Sequence, residues 1–391
     1  MPLEQDKSLD EPHAVRLVQE RLADAVSMNM VSDVPVGVFL SGGLDSSTVV
    51  AQMTKLTQEP IRTFSIGFDV PEHSETAYAS MVARVFHTKH FEQIIGRESI
   101  QDLLPRIITL YDEPYADGSA MPTFRVSELA RGQVTVALSG DGGDEVFGGY
   151  NWYDHWLRLQ TANRALPQFL RRGVLAPLGR AWPDRFRGIG VKHILESMAY
   201  DPLTQYARQM ELFTPLEKRW LLGEEWTNEF VDYDDYWYYR KYWKPKLDLI
   251  TRIQYLDLKT YLPDDILTKV DRASMAVGLE TRPPLLDHRL IETVFQVPSM
   301  IRFRNGEKKY LLKRAMQGIL PDTILSRRKK GFSSPLMQWV NQESNWVQAF
   351  LQRSSKLIRS EALDGISRYA KGPKYWALLM LEQWAAGESD I

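Results

Sequence analysis

Residues 35 to 47 read Pro35-Val36-Gly37-Val38-Phe39-Leu40-Ser41-Gly42-Gly43-Leu44-Asp45-Ser46-Ser47. The uncharged apolar run 35–40 is the pattern of a strand buried on both faces, and Asp45 to Leu56 continues as a helix after the glycine-containing turn. Such a link suits a phosphate. Glycines let the backbone approach an anion, consecutive N–H groups and hydroxyls face it, and the helix end adds partial positive charge. The loop therefore predicts pyrophosphate binding through Ser41, Gly42, Gly43 and Ser46. It is not a Walker A loop: no Gly-Lys-Ser/Thr follows, and Asp45 stands where lysine would be. A carboxylate beside phosphates implies a bridging Mg2+.

Outward from this loop, Val15, Val18, Leu22 and Val26 recur at helical spacing within residues 13–30, predicting a helix before the first strand. Downstream, Arg62 to Phe68, Lys89 to Ile95 and Val134 to Leu138 read as strands, with helices at Glu75 to Phe86 and Ala120 to Arg131. This alternation predicts an α/β fold, a parallel sheet with right-handed crossover helices. From about residue 150 the strand-like runs fade. The expected division is an ATP-binding α/β core over 1–150 and a mainly helical, proline-punctuated region over 151–391 that completes the site. The aromatic segment from Tyr233 to Trp243 suits helix packing or an interface better than a stacking platform for a ligand.

Across 391 residues, 44% hydrophobic and 25% charged content is that of a globular protein, and a net charge of -2 argues against nucleic acid as the main partner. No apolar run approaches the roughly 18 residues of a membrane span, and no secretory signal opens the chain, so a cytoplasmic, membrane-free protein is expected. There is no cysteine, which excludes a thiol nucleophile and any cysteine-ligated metal within these residues.

A second cluster, Ser139-Gly140-Asp141-Gly142-Gly143-Asp144-Glu145, follows the fourth strand directly. Two glycine and carboxylate clusters at strand ends face one crevice of an open α/β sheet. Asp45 and Asp144 are then placed to grip Mg2+ from two sides, and the backbone of Ser139 and Gly140 approaches the adenylate.

The 41–47 loop resembles the PP-loop of ATP pyrophosphatases, whose fold is adenine nucleotide alpha hydrolase-like. That resemblance implies cleavage of ATP between its α and β phosphates. Residues 31–47, 63–68, 112–123, 136–150, 261–290 and 327–335 together are similar to the C-terminal synthetase domain of the glutamine-hydrolysing asparagine synthetase family. The similarity implies Leu40, Ser41, Gly43, Asp45 and Ser46 on the ATP phosphates, Ile66 against the adenine, and Mg2+ on Asp45 and Asp144. It also implies Lys329 as the cation that stabilises charge during adenylate formation and amide transfer, a role that suits a fixed cation beside developing oxyanions. Which basic residue of 327–330 points inward stays open. Asp141 and Glu145 match acids near the reacting acyl group, one of them taking a proton from the incoming nitrogen. Lys269, Asp271 and Arg272 either meet substrate or form internal salt bridges.

The implied reaction makes asparagine from aspartate, ATP and ammonia through β-aspartyl-AMP. Two departures qualify it. Asp141-Gly142-Gly143 stands where asparagine-forming relatives carry Glu-Gly-Ser, and an acid one methylene shorter moves its oxygens by roughly 1.5 Å. A related carboxylate, as in peptide-cyclising or sugar amidotransferase-like enzymes, therefore stays open, as does a non-catalytic nucleotide-binding subunit. The family's N-terminal glutaminase domain is the second departure, since the sequence starts one helix before the PP-loop. Expected partners are thus aspartate or a related carboxylate and ammonia, with a separate glutaminase subunit or a missing N-terminal domain, and a homodimer left open.

Overall fold

The computed structural model describes residues 4–97, 99–181, 189–222, 226, 228, 230, 232–304, 306–327, 334–342, 357–359 and 372–387. Five strands form one parallel sheet: β1 (Val36–Phe39), β2 (Arg62–Phe68), β3 (Lys89–Ile95), β4 (Val136–Leu138) and β5 (Glu280–Arg282), in the order β3-β2-β1-β4-β5. Val36 pairs with Val136 and Val38 with Leu138, while Gly37 pairs with Arg62 on the other side of β1. Four strands coincide with those read from apolar runs. The fifth, Glu-Thr-Arg, has no such run: it is an edge strand recruited by backbone bonds such as Glu280 N–H to the Thr135 carbonyl at 2.9 Å.

Seven helices build and flank this core: α1 (Glu11–Asn29), α2 (Leu44–Leu56), α3 (Thr76–Val85), α4 (Ser99–Tyr111), α5 (Ala120–Arg131), α6 (Gly143–Phe147) and α7 (Asn151–Ala165). Asp10 starts α1 by accepting from His13 N–H at 2.9 Å, which satisfies one of the unpaired donors of the first turn. Helix α4 carries Pro105 in its middle and was not anticipated, because proline interrupts a helical reading.

Neighbouring strand residues feed different cores, as expected of a sheet covered on both faces. Val38 and Leu138 pack with α1, α2, α3 and the helices His288–Gln296 and Tyr310–Met316. Phe39 and Ala137 pack with α4, α5 and the helices Leu336–Gln342 and Pro373–Gly387, where Trp339 and Trp376 are buried. A third cluster joins Tyr153 and Trp156 of α7 to Tyr206, Ile253 and Leu256. Tyr239, Tyr242 and Trp243 pack against it, whereas Tyr233 and Trp237 are exposed. No described helix is long and apolar enough to cross a membrane.

From β1 the chain moves outward through β2 to β3, then returns to place β4 on the other side of β1. Connections leave β1 and β4 in opposite directions, and the loops at their carboxyl ends therefore diverge around a crevice. That crevice holds both glycine-rich loops.

Candidate active site

A cleft of 1220 Å³ opens at these strand ends. Its walls include Leu40, Ser41, Gly43, Asp45 and Ser46 from the first loop, Ile66 from β2, and Ser139, Gly140, Asp141, Asp144 and Glu145 from the second. The first loop is shaped by its own hydroxyls: Ser41 N–H donates to Ser46 Oγ at 3.2 Å and Gly43 N–H to Ser41 Oγ at 3.3 Å. Gly42 lies behind the wall, and its carbonyl accepts from Arg327 Nη1 at 2.9 Å. Arg327 also pairs with Glu75 and lies 3.9 Å over the Tyr78 ring, which tethers the start of the basic 327–330 run to the loop. Lys329 lies outside the described residues.

Asp45 and Asp144 converge as expected, and a side chain that sequence reasoning missed joins them. The buried Lys309 ammonium bonds Asp45 Oδ2 and stands 2.8 Å from Asp144 Oδ1. Two like charges about 4 Å apart cost roughly 4 kcal/mol at an effective dielectric near 20, so a shared cation lets both acids stay ionised. The two acids in turn hold the Lys309 ammonium above its ordinary range, outweighing the opposing effect of burial. Space here is tight: a Cβ at Gly149 would overlap Asp144 Oδ1 and Lys309 Cε and displace both side chains. Nothing in Glu307-Lys308-Lys309 marks Lys309 in the sequence, where it reads as a solvated charge run.

These donors fit Mg2+. Two carboxylates already aim at one cation, although among the described residues no group of three or more acids or histidines gathers to hold a metal, here or elsewhere. Mg2+ is commonly held by one or two carboxylates with phosphate oxygens and water completing its shell.

Another part of the wall holds partly buried acids around the buried Lys269. Its Nζ lies 2.5 Å from Asp117 Oδ2, and Ser119 donates to Asp117 from its backbone N–H at 2.8 Å and its hydroxyl at 2.9 Å. Burial raises the Asp117 carboxyl, but the Lys269 charge and these donors prevail and hold it below its ordinary value. Asp265 is pushed the other way by burial and by Asp117, and Tyr115 donates to it. Lys269 thus both lines the cleft and is internally paired. Asp271 and Arg272 do not join it: both are exposed, Arg272 pairs with Asp112 at 2.7 Å, and Asp271 borders a separate 410 Å³ cavity that meets the cleft at Ser139 and Asp141. Asp117 lies within the 112–123 stretch, so a signal for it was present.

Glu145 is buried with Tyr150 donating to its Oε1. Burial, then the neighbouring Asp144 charge, pushes its carboxyl up to about 8. Asp141, at the junction of the two cavities, is raised by burial as well. Helix α6, which carries Asp144 and Glu145, is held from below: Gln254 Nε2 donates to the carbonyls of Glu145 at 3.1 Å and Val146 at 2.7 Å. The buried Arg302 donates to Gln254 Oε1 at 2.6 Å.

Fold and site together define an adenine nucleotide alpha hydrolase-like α/β protein whose PP-loop and second acidic loop share one cleft. The chain belongs to the asparagine synthase family, which matches residues 17–386. It is 35% identical over 389 residues to asparagine synthetase [glutamine-hydrolyzing] 1 of Bacillus subtilis, covering 96% of this chain and 60% of that protein. It is 40% identical over 270 residues to putative asparagine synthetase [glutamine-hydrolyzing] 2 of Methanocaldococcus jannaschii, covering 65% of this chain and 48% of that one. Amidase chyE of Penicillium rubens is 26% identical over 368 residues, with 84% of this chain and 53% of the amidase covered. The chain thus spans only part of the length of these relatives.

Proposed function

We propose that this chain is an ATP-dependent amide synthetase that activates the β-carboxylate of aspartate, or of a related acid, and transfers it to ammonia. The observation that carries this reading is the convergence of Asp45 and Asp144 on one cation at the β1/β4 switch point. The first loop holds the phosphates with its N–H groups and hydroxyls, Ile66 and the backbone of Ser139 and Gly140 flank the nucleoside, and Asp117 and Lys269 bound the acyl acceptor. Asp45 and Asp144 would hold Mg2+, which when bound would neutralise phosphate charge and make pyrophosphate a better leaving group.

A carboxylate oxygen attacks the α-phosphorus, the bond to the bridging αβ oxygen breaks, and pyrophosphate departs with that electron pair. Lys309 and Lys329 are the cations that meet charge on the transferring group. Ammonia then attacks the acyl carbon, AMP leaves with the C–O electron pair, and the nitrogen sheds a proton. Asp141 and Glu145 are the acids within reach of that centre. Residues 151–391 complete the site begun by residues 1–150; the Leu336 and Trp376 side chains that border the cleft come from its helices. Water excluded by that cover cannot consume the acyl-adenylate.

Aspartate-dependent exchange of labelled pyrophosphate into ATP, and asparagine and AMP formed in equal amounts from aspartate and ammonia, test the reading. Asp45→Asn is expected to lower exchange by a factor of about 10² or more. If aspartate elicits no pyrophosphate while another acid does, the acceptor is that acid; if no acid does, synthetase activity is excluded.

A further inference from the structure

Among the basic residues of 306–314, Lys308, Lys309 and Lys313 all border the cleft, and of these Lys309 is the buried one. Lys308 reaches Asp154 at 3.5 Å and Lys313 reaches Glu307 at 2.8 Å, both near the surface. Lys309 begins the helix Tyr310–Met316 with φ at 54°, a left-handed conformation that costs a residue with a Cβ and persists where the surroundings impose it. The result is an ammonium between Asp45 and Asp144. Those are the carboxylates assigned to the metal. An ammonium and a divalent cation cannot both sit between the same pair of oxygens, since their charges repel and the room is already filled to the edge of Gly149.

We propose that Lys309 is a positioning residue that makes divalent-cation binding conditional on nucleotide. Its ammonium is the counter-ion that Asp45 and Asp144 share until phosphates arrive; the phosphates then draw it off, and the two carboxylates turn to the metal. Free Mg2+ is thereby kept out of a cleft that contains no phosphate, and metal and nucleotide enter together. Linkage makes this reciprocal: whatever factor the nucleotide adds to metal affinity, the metal adds to nucleotide affinity. The inference rests on the Mg-ATP reading above.

The test uses the full chain, Mn2+ as the probe for Mg2+, and water-proton relaxation to report protein-bound Mn2+. Wild-type protein is expected to bind Mn2+ at least about tenfold more weakly alone than with α,β-methylene-ATP. Lys309→Met, of similar length and uncharged, is expected to bind Mn2+ without nucleotide at least about tenfold more tightly than wild type, and Asp144→Asn in that background should abolish the gain. A merely structural lysine would give no gain of metal binding on removal. Equal Mn2+ affinity of the wild type with and without the analogue overturns the inference whether or not the variant folds; so does a Lys309→Met protein with wild-type circular dichroism and no new Mn2+ site. Calorimetry of the analogue with wild type separates the two levels: no nucleotide binding brings down the ATP reading itself, whereas binding without the metal effect brings down only the role of Lys309.

Discussion

Glu145 illustrates what one buried side chain contributes. Its proton is retained in the folded protein up to about 8, against an ordinary value of 4.5 in an exposed chain, because burial and then Asp144 disfavour the charge. Below the lower value both states hold the proton and the stability it supports is complete. As pH rises the unfolded state ionises first, so stability falls until the folded-state value is passed. Glu145→Gln keeps the shape and removes the titration. Denaturation curves from about pH 4 to pH 9 should therefore be flatter for the variant, with a difference of a few kcal/mol accumulated by the alkaline end. Parallel curves would show that Glu145 ionises normally. The acids of both loops were legible in the sequence, because each stands beside the glycines that let phosphate approach. Lys269 was read only through the family resemblance, and Lys309 not at all, since a lysine's inward turn leaves no mark in the charge run Glu307-Lys308-Lys309.

At the scale of elements, α6 is the shortest of the seven core helices and the one that carries two of the site's acids. Five residues cannot sustain a helix alone, and the donors from Gln254 to the Glu145 and Val146 carbonyls replace the missing turns. Gln254→Leu removes both donors and the acceptor of the buried Arg302. A loss of about 2–4 kcal/mol is expected from urea denaturation; a loss below about 0.5 kcal/mol would mean that α6 is held by other contacts. The long elements of the core other than α4, which Pro105 interrupts, were readable since their apolar spacing repeats over several turns or pleats. Strand β5 was not, because three residues without an apolar run join the sheet only where β4 offers a free edge.

For the whole molecule, the cleft joins loops that follow β1 and β4 to helices near the carboxyl end of the chain. A nucleotide that touches all of these stabilises the folded state by about 2.7 kcal/mol at a hundred times its dissociation constant. Mg-ATP should accordingly raise the thermal midpoint by a few degrees, and Mg2+ alone should leave it nearly unchanged. No shift at millimolar Mg-ATP would remove the nucleotide from this cleft. The sequence by itself determined the parallel α/β class and the two loops at strand ends, because strand period, helix period and glycine beside carboxylate are short-range patterns. Only the tertiary structure decided that Lys309 bridges Asp45 across 264 residues and that Lys269 reaches Asp117 across 152. Such pairings depend on how finished elements pack against one another, and packing at that separation leaves no period in the chain to read.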